Sequence, residues 1–169
     1  DERRTEIIMK AEEFSIEDMI AEEQVVITVS HSGFIKRLPV SGYRRQTRGG
    51  RGSTAATTKE DDFIEHMFVA STHDYMMLFT DKGRCYWLKV FEIPEGGRSA
   101  RGKSLANLIS KEPDESIASY VSVKNFADPL FVMMATQQGM IKKTALQEFG
   151  NPRRTGIAAV GLGKSDRLI

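Results

Sequence analysis

The sequence has a single cysteine, Cys85, among its 169 residues. One thiol excludes an internal disulfide framework and a cysteine-based zinc site. No uninterrupted apolar run approaches the roughly 18 residues that a membrane-spanning helix needs, so we expect no membrane partner. The opening residues, Asp1, Glu2, Arg3 and Arg4, are unlike a signal peptide, and no methionine precedes them. We therefore expect a cytoplasmic segment excised from a longer protein.

Charge is distributed unevenly along the chain. The formal net charge is only +1, and the mixture of 40% hydrophobic and 28% charged residues is typical of a globular domain. Residues 1–23 hold nine acids and three bases, whereas residues 24–169 hold fourteen acids and twenty-one bases. The near-neutral total therefore conceals a basic body that follows an acidic N-terminal segment.

The acidic segment, residues 1–23, predicts helix. Ser15 and Asp18 stand at the spacing of a capping box, ahead of Met19 and Ile20. Apolar residues recur at helical spacing before this point: Ile7, Ile8, Ala11 and Phe14. We interpret the segment as a solvated, acidic linker of two short helices.

The remainder predicts an all-β repeat. β-Branched and aromatic residues alternate with polar ones around a glycine-containing turn, which is the signature of a β-hairpin. This pattern occurs three times, in residues 24–38, 76–90 and 130–146, with the turn glycines Gly33, Gly83 and Gly139. The glycines lie 50 and then 56 residues apart, a period that suits a propeller blade of about four strands. Apolar segments 63–69 and 116–123 supply candidates for the further strands.

The predicted architecture is therefore a partial β-propeller, with residues 1–23 as a linker and residues 24–169 as the repeat. We place the blade units at roughly 24–74, 75–128 and 129–169. Because propellers usually have about four to eight blades, three units form only part of a ring.

Basic residues cluster in segments that contain few or no acids. Residues 34–52 hold Lys36, Arg37, Arg44, Arg45, Arg48 and Arg51, together with Gly42, Gly49, Gly50 and Gly52. Residues 96–111 hold Arg98, Arg101, Lys103 and Lys111, and a third cluster holds Lys142, Lys143, Arg153 and Arg154. Arginine forks and glycine-exposed backbone N–H groups both suit phosphate oxygens.

One arginine position recurs with the repeat. Arg48, Arg98 and Arg154 each follow their turn glycine by fifteen residues. If the blades are related by rotation, these side chains lie along one rim as an arc. Such an arc predicts binding to the backbone of a bent DNA duplex, without base-specific readout. The alternative is a protein-interaction propeller whose arginines are merely solvated.

Two other local features are ambiguous or weak. Tyr86 and Trp87 stand where the other two units have a basic pair, and they fit either blade packing or an aromatic contact to nucleic acid. Those basic pairs are Lys36-Arg37 and Lys142-Lys143. Ser71, His73 and Asp74 superficially offer the residue types of a catalytic triad, but near neighbours on a strand cannot form one.

Several stretches resemble the gyrase A family of DNA topoisomerases. Residues 43–52, YRRQTRGGRG, resemble the gyrase A box, whose usual form is QRRGGKG. Thr47 stands where the family usually has arginine, and Arg51 stands where it usually has lysine. Residues 1–7, 16–23, 60–66 and 91–95 are also similar to this family, so the resemblance covers essentially the whole chain.

The resemblance implies a six-bladed β-pinwheel, about three blades of which are present, that wraps double-stranded DNA. It implies a non-catalytic part of DNA gyrase, an ATP-dependent type II topoisomerase that introduces negative supercoils, with partners in gyrase B and the gyrase A cleavage core of an A2B2 assembly. No cofactor is expected here, because ATP and magnesium belong to other domains. The box residues that carry over as DNA-binding are Gln46, Arg48, Gly49, Gly50, Arg51 and Gly52. The alternative relative is the C-terminal domain of the A protein of topoisomerase IV.

Overall fold

The computed structural model describes residues 16–42 and 62–169. These residues form strands joined by turns and single turns of 3-10 helix, which confirms the predicted all-β class. The strands are β1 Gln24–Ser30, β2 Phe34–Pro39, β3 Ile64–Ser71, β4 Tyr75–Thr80, β5 Arg84–Lys89, β6 Lys103–Ser104, β7 Ile117–Val123, β8 Phe131–Ala135, β9 Ile141–Ala145 and β10 Ile157–Ala158. The 3-10 helices are Ile16–Met19, Val40–Gly42, Val90–Glu92, Leu105–Asn107 and Leu146–Phe149.

The three predicted hairpins are β1–β2, β4–β5 and β8–β9, and each pair is antiparallel. Their turns share one geometry that requires glycine, because the φ angles of Gly33, Gly83 and Gly139 are +78°, +76° and +84°. Each glycine N–H donates to the carbonyl of the residue three positions earlier, which is a serine or threonine. The hydroxyl of that same residue accepts the N–H of the residue after the glycine, for Ser30, Thr80 and Thr136.

The sheets are completed by strands exchanged between neighbouring units. The first sheet has the order β3-β1-β2-β6, and the second has the order β10-β5-β4-β7. β6 lies in the second unit of the sequence but pairs with β2 of the first, and β10 of the third unit pairs with β5 of the second. The segments predicted between the hairpins form β3 and β7. The strand exchange was not predicted, because two-residue strands give no periodic signal in a sequence.

The core consists of two apolar clusters that meet at β4. Met76 and Leu78 are fully buried in the cluster shared with β1 and β2, whereas Met77 and Phe79 are buried in the cluster shared with the third unit. A strand that is buried on both faces is expected to be apolar throughout, which explains the unbroken run of apolar residues in β4. This strand therefore holds the three units together.

The linker is only partly described. Residues 1–15, which carry most of the predicted helical pattern, lie outside the described residues, and a single 3-10 turn forms at Ile16–Met19. Ala21 and Glu23 are hydrogen-bonded to Thr72, and Glu17 is paired with Lys89 at 2.9 Å. In residues 16–42 and 62–169, no helix has the length and apolarity to cross a membrane.

Candidate nucleic-acid interface

Two loops occupy equivalent positions beside successive sheets. Residues 94–101 follow the buried Ile93, and residues 150–155 follow the buried Phe149. Each loop ends at a glycine of positive φ, Gly102 or Gly156, and then enters the strand that completes the preceding sheet. The repeat therefore delivers each loop to the outer edge of the hairpin before it, which supports the idea of a shared rim.

The two loops differ in length, so their arginines stand at different distances along the chain from the glycine that ends each loop. Residues 94–101 number eight and residues 150–155 number six. Arg98 stands four residues before Gly102, whereas Arg154 stands two residues before Gly156. The equal count of fifteen residues from the turn glycines therefore does not make Arg98 and Arg154 structural equivalents. After the glycine the two loops are in register again, because Ile157 begins β10 just as Lys103 begins β6.

Six of the predicted DNA-binding side chains are exposed: Arg101, Lys103, Lys142, Lys143, Arg153 and Arg154. Two of them lie over aromatic rings. The guanidinium carbon of Arg101 is 3.7 Å from the centroid of Phe34, and the ammonium of Lys143 is 3.9 Å from the centroid of Phe131. Cation–π contacts of this kind orient the side chain while leaving charge at the surface. These two residues are therefore partly preorganised for an anionic ligand.

Arg98 is half-buried and has a structural contact. Its Nη2 donates to the carbonyl oxygen of Gly42 at 2.8 Å. Gly42 ends the 3-10 turn Val40–Gly42, so Arg98 ties the second-unit loop to the residue that precedes the 43–52 box. The box residues themselves, Arg44, Arg45, Gln46, Arg48, Gly49, Gly50, Arg51 and Gly52, lie outside the described residues.

Lys36 was predicted as a DNA contact, but its position does not suit that role. The residue is only 4% exposed, and its Nζ donates to the carbonyl oxygens of Gly97, Arg98 and Ala100 at 3.0, 2.9 and 2.7 Å. Three donors to three carbonyls exhaust the ammonium, and burial lowers the pKa of Lys36 below its usual 10.5. We therefore do not retain Lys36 as a phosphate contact.

The other members of the predicted basic pairs are also partly engaged. Arg37 is half-buried: its Nε donates to the carbonyl of Ile93 at 2.8 Å, and its Nη1 lies 3.8 Å from a carboxylate oxygen of Glu95. Lys142 is exposed, yet its Nζ donates to the carbonyl of Ala159 at 2.7 Å. Arg37 therefore holds the neighbouring unit, while Lys142 keeps a charge at the surface.

The ambiguity over Tyr86 and Trp87 is resolved for Tyr86. Tyr86 is 1% exposed, and its hydroxyl donates to the buried carboxylate of Glu115 at 2.8 Å. Trp87 is half-buried and lines a cleft of about 490 Å³ together with Arg153 and Arg154. Tyr86 therefore belongs to blade packing, whereas the cleft brings an aromatic ring close to two predicted DNA contacts.

Sequence reasoning missed the role of Arg84. Its Nη2 donates to the carbonyl of Thr155 at 2.7 Å, its Nε donates to the Tyr86 hydroxyl at 3.1 Å, and Nε lies 3.6 Å from Glu115. Arg84 thus connects β5 to the loop of the third unit. A signal was present, since Arg84 immediately follows a turn glycine and precedes an apolar run. No cluster of three or more His, Cys, Asp or Glu side chains suited to a metal ion occurs in the described ranges.

Comparison with known families decides what this repeat is. The family model described as "DNA gyrase C-terminal domain, beta-propeller" matches residues 24–71, 74–119 and 131–169. The chain belongs to the DNA gyrase C-terminal domain family. Its three matched segments each begin near the first strand of one of the hairpins β1–β2, β4–β5 and β8–β9. The resemblance to gyrase A and the predicted β-propeller architecture are both confirmed.

Relatives in this gyrase family match along the whole chain. The DNA gyrase A protein of Salmonella typhimurium is 47% identical over 169 residues, and that of Neisseria gonorrhoeae is 46% identical over 169 residues. The match covers 100% of this chain but only 19% and 18% of those two proteins. The chain therefore spans about a fifth of the length of these relatives.

Solved structures agree on the gyrase C-terminal domain fold. The crystal structure of the C-terminal domain of DNA topoisomerase IV matches with a TM-score of 0.72 and 28% identity, over 89% of this chain and 45% of that one. The structure of a DNA gyrase A C-terminal domain matches with a TM-score of 0.67 and 23% identity, over 86% of this chain and 46% of that one. About half of each solved domain corresponds to the three units of this chain.

Proposed function

We propose that this chain is a DNA-binding and DNA-wrapping module of the gyrase A protein, with no catalytic role of its own. The family match over all three β units carries this proposal. The module bends duplex DNA along its basic edge, so that an ATP-dependent type II topoisomerase introduces negative supercoils. Bending 20–30 base pairs by 40–90° costs on the order of 1–6 kcal/mol, which several phosphate contacts can offset.

The exposed basic side chains support contacts to the DNA backbone rather than readout of the nucleobases. Residues 96–110 contain no acid, and the segment presents Arg101 and Lys103 at the outer edge of the first sheet. Arg153 and Arg154 occupy the corresponding loop of the next unit. No helix in the described residues is long enough to enter a major groove as a recognition helix. The proposed contact set is therefore Arg98, Arg101, Lys103, Lys142, Lys143, Arg153 and Arg154, together with box residues 44–46 and 48–52.

The proposed partners follow from membership of the gyrase C-terminal domain family and from the resemblance to gyrase A. In the assembly proposed here, the chain works with the gyrase A cleavage core and with gyrase B as an A2B2 enzyme in the cytoplasm. ATP and magnesium act on those other parts, and this module binds neither. Its contribution is to hold a DNA segment in a path that leads to the cleavage gate.

The direct test is the salt dependence of binding. The gyrase A protein containing this chain should bind a long duplex with little sequence preference. For duplex DNA, log affinity should fall against log salt with a slope of about −0.9 per phosphate contact. Replacing both Arg48 and Arg51 by alanine should impair supercoiling while leaving the fold intact. Affinity that stays constant between about 50 and 300 mM salt would refute the electrostatic interface.

The second candidate is the C-terminal domain of the A protein of topoisomerase IV, favoured by the 28% identical structure with the higher TM-score. The 47% identical gyrase sequence and the box at residues 46–52 favour gyrase. Net negative supercoiling by the intact enzyme supports gyrase, whereas relaxation or decatenation alone supports topoisomerase IV. A protein-interaction propeller would show neither salt-dependent DNA binding nor any effect of the box variant.

A further inference from the structure

We propose that Lys36 is a positioning residue whose ammonium group holds the basic loop 95–103 in the shape that presents its side chains to DNA. This inference rests on the proposed DNA-binding function. It assigns to a buried lysine of the first unit an effect on the arginines of the second. Lys36 acts through the loop and touches no phosphate itself.

The ammonium of Lys36 lies on the inner side of the loop, within hydrogen-bonding distance of its carbonyl oxygens. Gly97, Arg98 and Ala100 direct their carbonyl oxygens at Nζ, at 3.0, 2.9 and 2.7 Å. These carbonyls all lie within four consecutive residues, so one ammonium group binds the backbone of the whole central part of the loop. A hydrogen bond to a charged group stabilises more than one between neutral groups, because the charge strengthens the electrostatic attraction.

The stem of Lys36 is enclosed by glycines at both ends of the loop. A Cβ built on Gly96 would lie 3.4 Å from Cδ of Lys36, and one on Gly102 would lie 3.1 Å from its Cβ. Glycine at both positions lets the loop close around the side chain. Loop and lysine therefore fit as a single packed unit.

Main-chain hydrogen bonds fix the two ends of the loop. Its first part is held by Arg37, whose N–H donates to Pro94 and whose carbonyl accepts from Gly96. Its end is held where Lys103 and Ser104 pair with β2. Between these points, the Ala100 N–H donates within the loop to Gly97 at 3.0 Å. Lys36 connects this central part of the loop to β2.

The second hairpin provides an internal comparison. Tyr86 stands at the position equivalent to Lys36, three residues after the turn glycine, and the loop opposite it is two residues shorter. A Cβ built on Gly156 would lie 2.7 Å from Cε1 of Tyr86, so this shorter loop packs directly on the ring. The longer loop leaves carbonyls pointing inward, and a lysine replaces the tyrosine there. Loop length and residue type therefore change together.

The functional consequence is preorganisation. The loop carries Arg98, Arg101 and Lys103, and ordering a flexible backbone on binding opposes affinity because conformational entropy is lost. A loop that is already ordered does not incur this cost when it meets a phosphate. Removing the Lys36 ammonium should therefore weaken DNA binding through residues that remain chemically unchanged.

The first experiment measures the loop without DNA. Amide hydrogen exchange is compared in the full-length protein, in Lys36→Met, which keeps the stem, and in Lys36→Arg, which keeps the charge. A planar guanidinium cannot direct donors from one point to three converging carbonyls, so both variants should exchange the Ala100 amide faster, by about tenfold or more. The Gly96 amide, held by Arg37, is the internal control and should change little.

The second experiment is a double-mutant cycle on duplex affinity. Lys36→Met is made in the parent and in a background that carries Arg98→Ala, Arg101→Ala and Lys103→Ala. Lys36→Met should lower affinity about tenfold in the parent and less than about twofold in the background, because coupled residues are not additive. Lys36→Arg should not rescue binding, although arginine suits phosphate at least as well as lysine.

The outcomes separate the two proposals. An equal loss in both backgrounds, or rescue by Lys36→Arg, would show a direct phosphate contact and overturn the positioning role. Unchanged exchange at Ala100 would overturn it as well. If the parent protein shows no salt-dependent DNA binding, the proposed function fails, while the exchange data still decide whether Lys36 holds the loop.

Discussion

The carbonyl oxygen of Ile35 lies so close to Gly102 that a Cβ built on the glycine would be only 2.4 Å from it. The same relationship recurs one unit later, where a Cβ on Gly156 would lie 2.8 Å from the carbonyl oxygen of Cys85. Ile35 and Cys85 each stand two residues after a turn glycine. These two close approaches admit β6 and β10 to the edges of β2 and β5, so glycine at these sites is what makes the strand exchange possible.

Gly102→Ala should therefore loosen the contact between the first two units. The methyl group would strike backbone, and the φ of +88° is unfavourable for alanine. We expect a loss of about 1–3 kcal/mol in the free energy of unfolding, measured by urea denaturation.

The matched control is Gly33→Ala. Gly33 has a similar φ of +78°, but no atom lies within 4 Å of its Cβ position. It reports the backbone strain alone, so its effect should be clearly smaller than that of Gly102→Ala. Equal losses would mean that φ, and not the approach of Ile35, makes glycine necessary at position 102.

The buried hydrogen bond between Tyr86 and Glu115 should contribute more to the free energy of unfolding than an ion pair at the surface does. Tyr86→Phe removes one hydrogen-bond partner from the Glu115 carboxylate, whose side chain is 1% exposed. Leaving a buried polar group without a partner costs about 1–3 kcal/mol. We expect a loss of that size in the free energy of unfolding. Lys82→Met is the control: it removes the exposed pair with Asp114 and should change stability little. A larger effect from Lys82→Met would contradict this ranking.

Stability should decline at alkaline pH because weakly acidic side chains of the folded protein resist ionisation, among them the buried Cys85 thiol and the half-buried Tyr120 hydroxyl. Burial raises the pKa of Cys85 from 9.0 to about 12, and burial together with the charge of Glu65 raises the pKa of Tyr120 from 10.0 to about 12. Below the pKa values of the unfolded chain, both groups are neutral in the folded and in the unfolded protein. The stability that they contribute is then fully present. As pH rises from about 9 towards about 12, the unfolded chain releases protons that the folded chain retains, so the free energy of unfolding falls. Each group contributes at most about 1.4 kcal/mol per pH unit.

Urea midpoints at about pH 8, 9.5 and 10.5 test this pH dependence. Tyr120→Phe should flatten the decline above about pH 10, and Cys85→Ala should flatten it from about pH 9. Burial lowers the pKa of Lys36, which gives a contribution of opposite sign, but that contribution is the same in every variant and cancels in the comparison. Declines that stay parallel in all three proteins would contradict the assignment.

The hairpins could be predicted because their signals are local. A glycine at positive φ with alternating residues on each side specifies a hairpin without knowledge of any partner, as at Gly83. The strand exchange could not be predicted in this way. β6 and β10 have two residues each, and they are strands only because β2 and β5 present free edges to them.

The basic residues show the same division between local and tertiary information. Sequence patterning identified the loops that carry Arg101 and Arg154, but it could not separate Lys36 from exposed lysines. Charge composition does not show which ammonium finds carbonyl partners in another unit. One clue was available: Tyr86 stands at the equivalent position in the middle unit, and an aromatic residue there indicates an inward-facing site.

One buried hydroxyl contributes two of the hydrogen bonds that dock the linker on the β-propeller. Thr72 is 1% exposed; its Oγ1 donates to the carbonyl of Ala21 at 2.8 Å and accepts the N–H of Glu23 at 3.1 Å. Thr72→Val keeps the shape and removes both bonds. Since an unmet buried polar group costs about 1–3 kcal/mol, the linker should detach locally while the sheets remain folded.

Limited proteolysis with a glutamate-specific protease measures this detachment, because Glu17, Glu22 and Glu23 lie in the docked segment. Cleavage there should accelerate in Thr72→Val, whereas the urea midpoint of the β-propeller should change little. Ser71→Ala is the control, since its hydroxyl meets Glu22 only at 3.4 Å. If Thr72→Val lowers the urea midpoint as strongly as it speeds cleavage, the linker is part of the cooperative core. The Thr72 hydroxyl would then stabilise the whole domain, and the linker would not open independently.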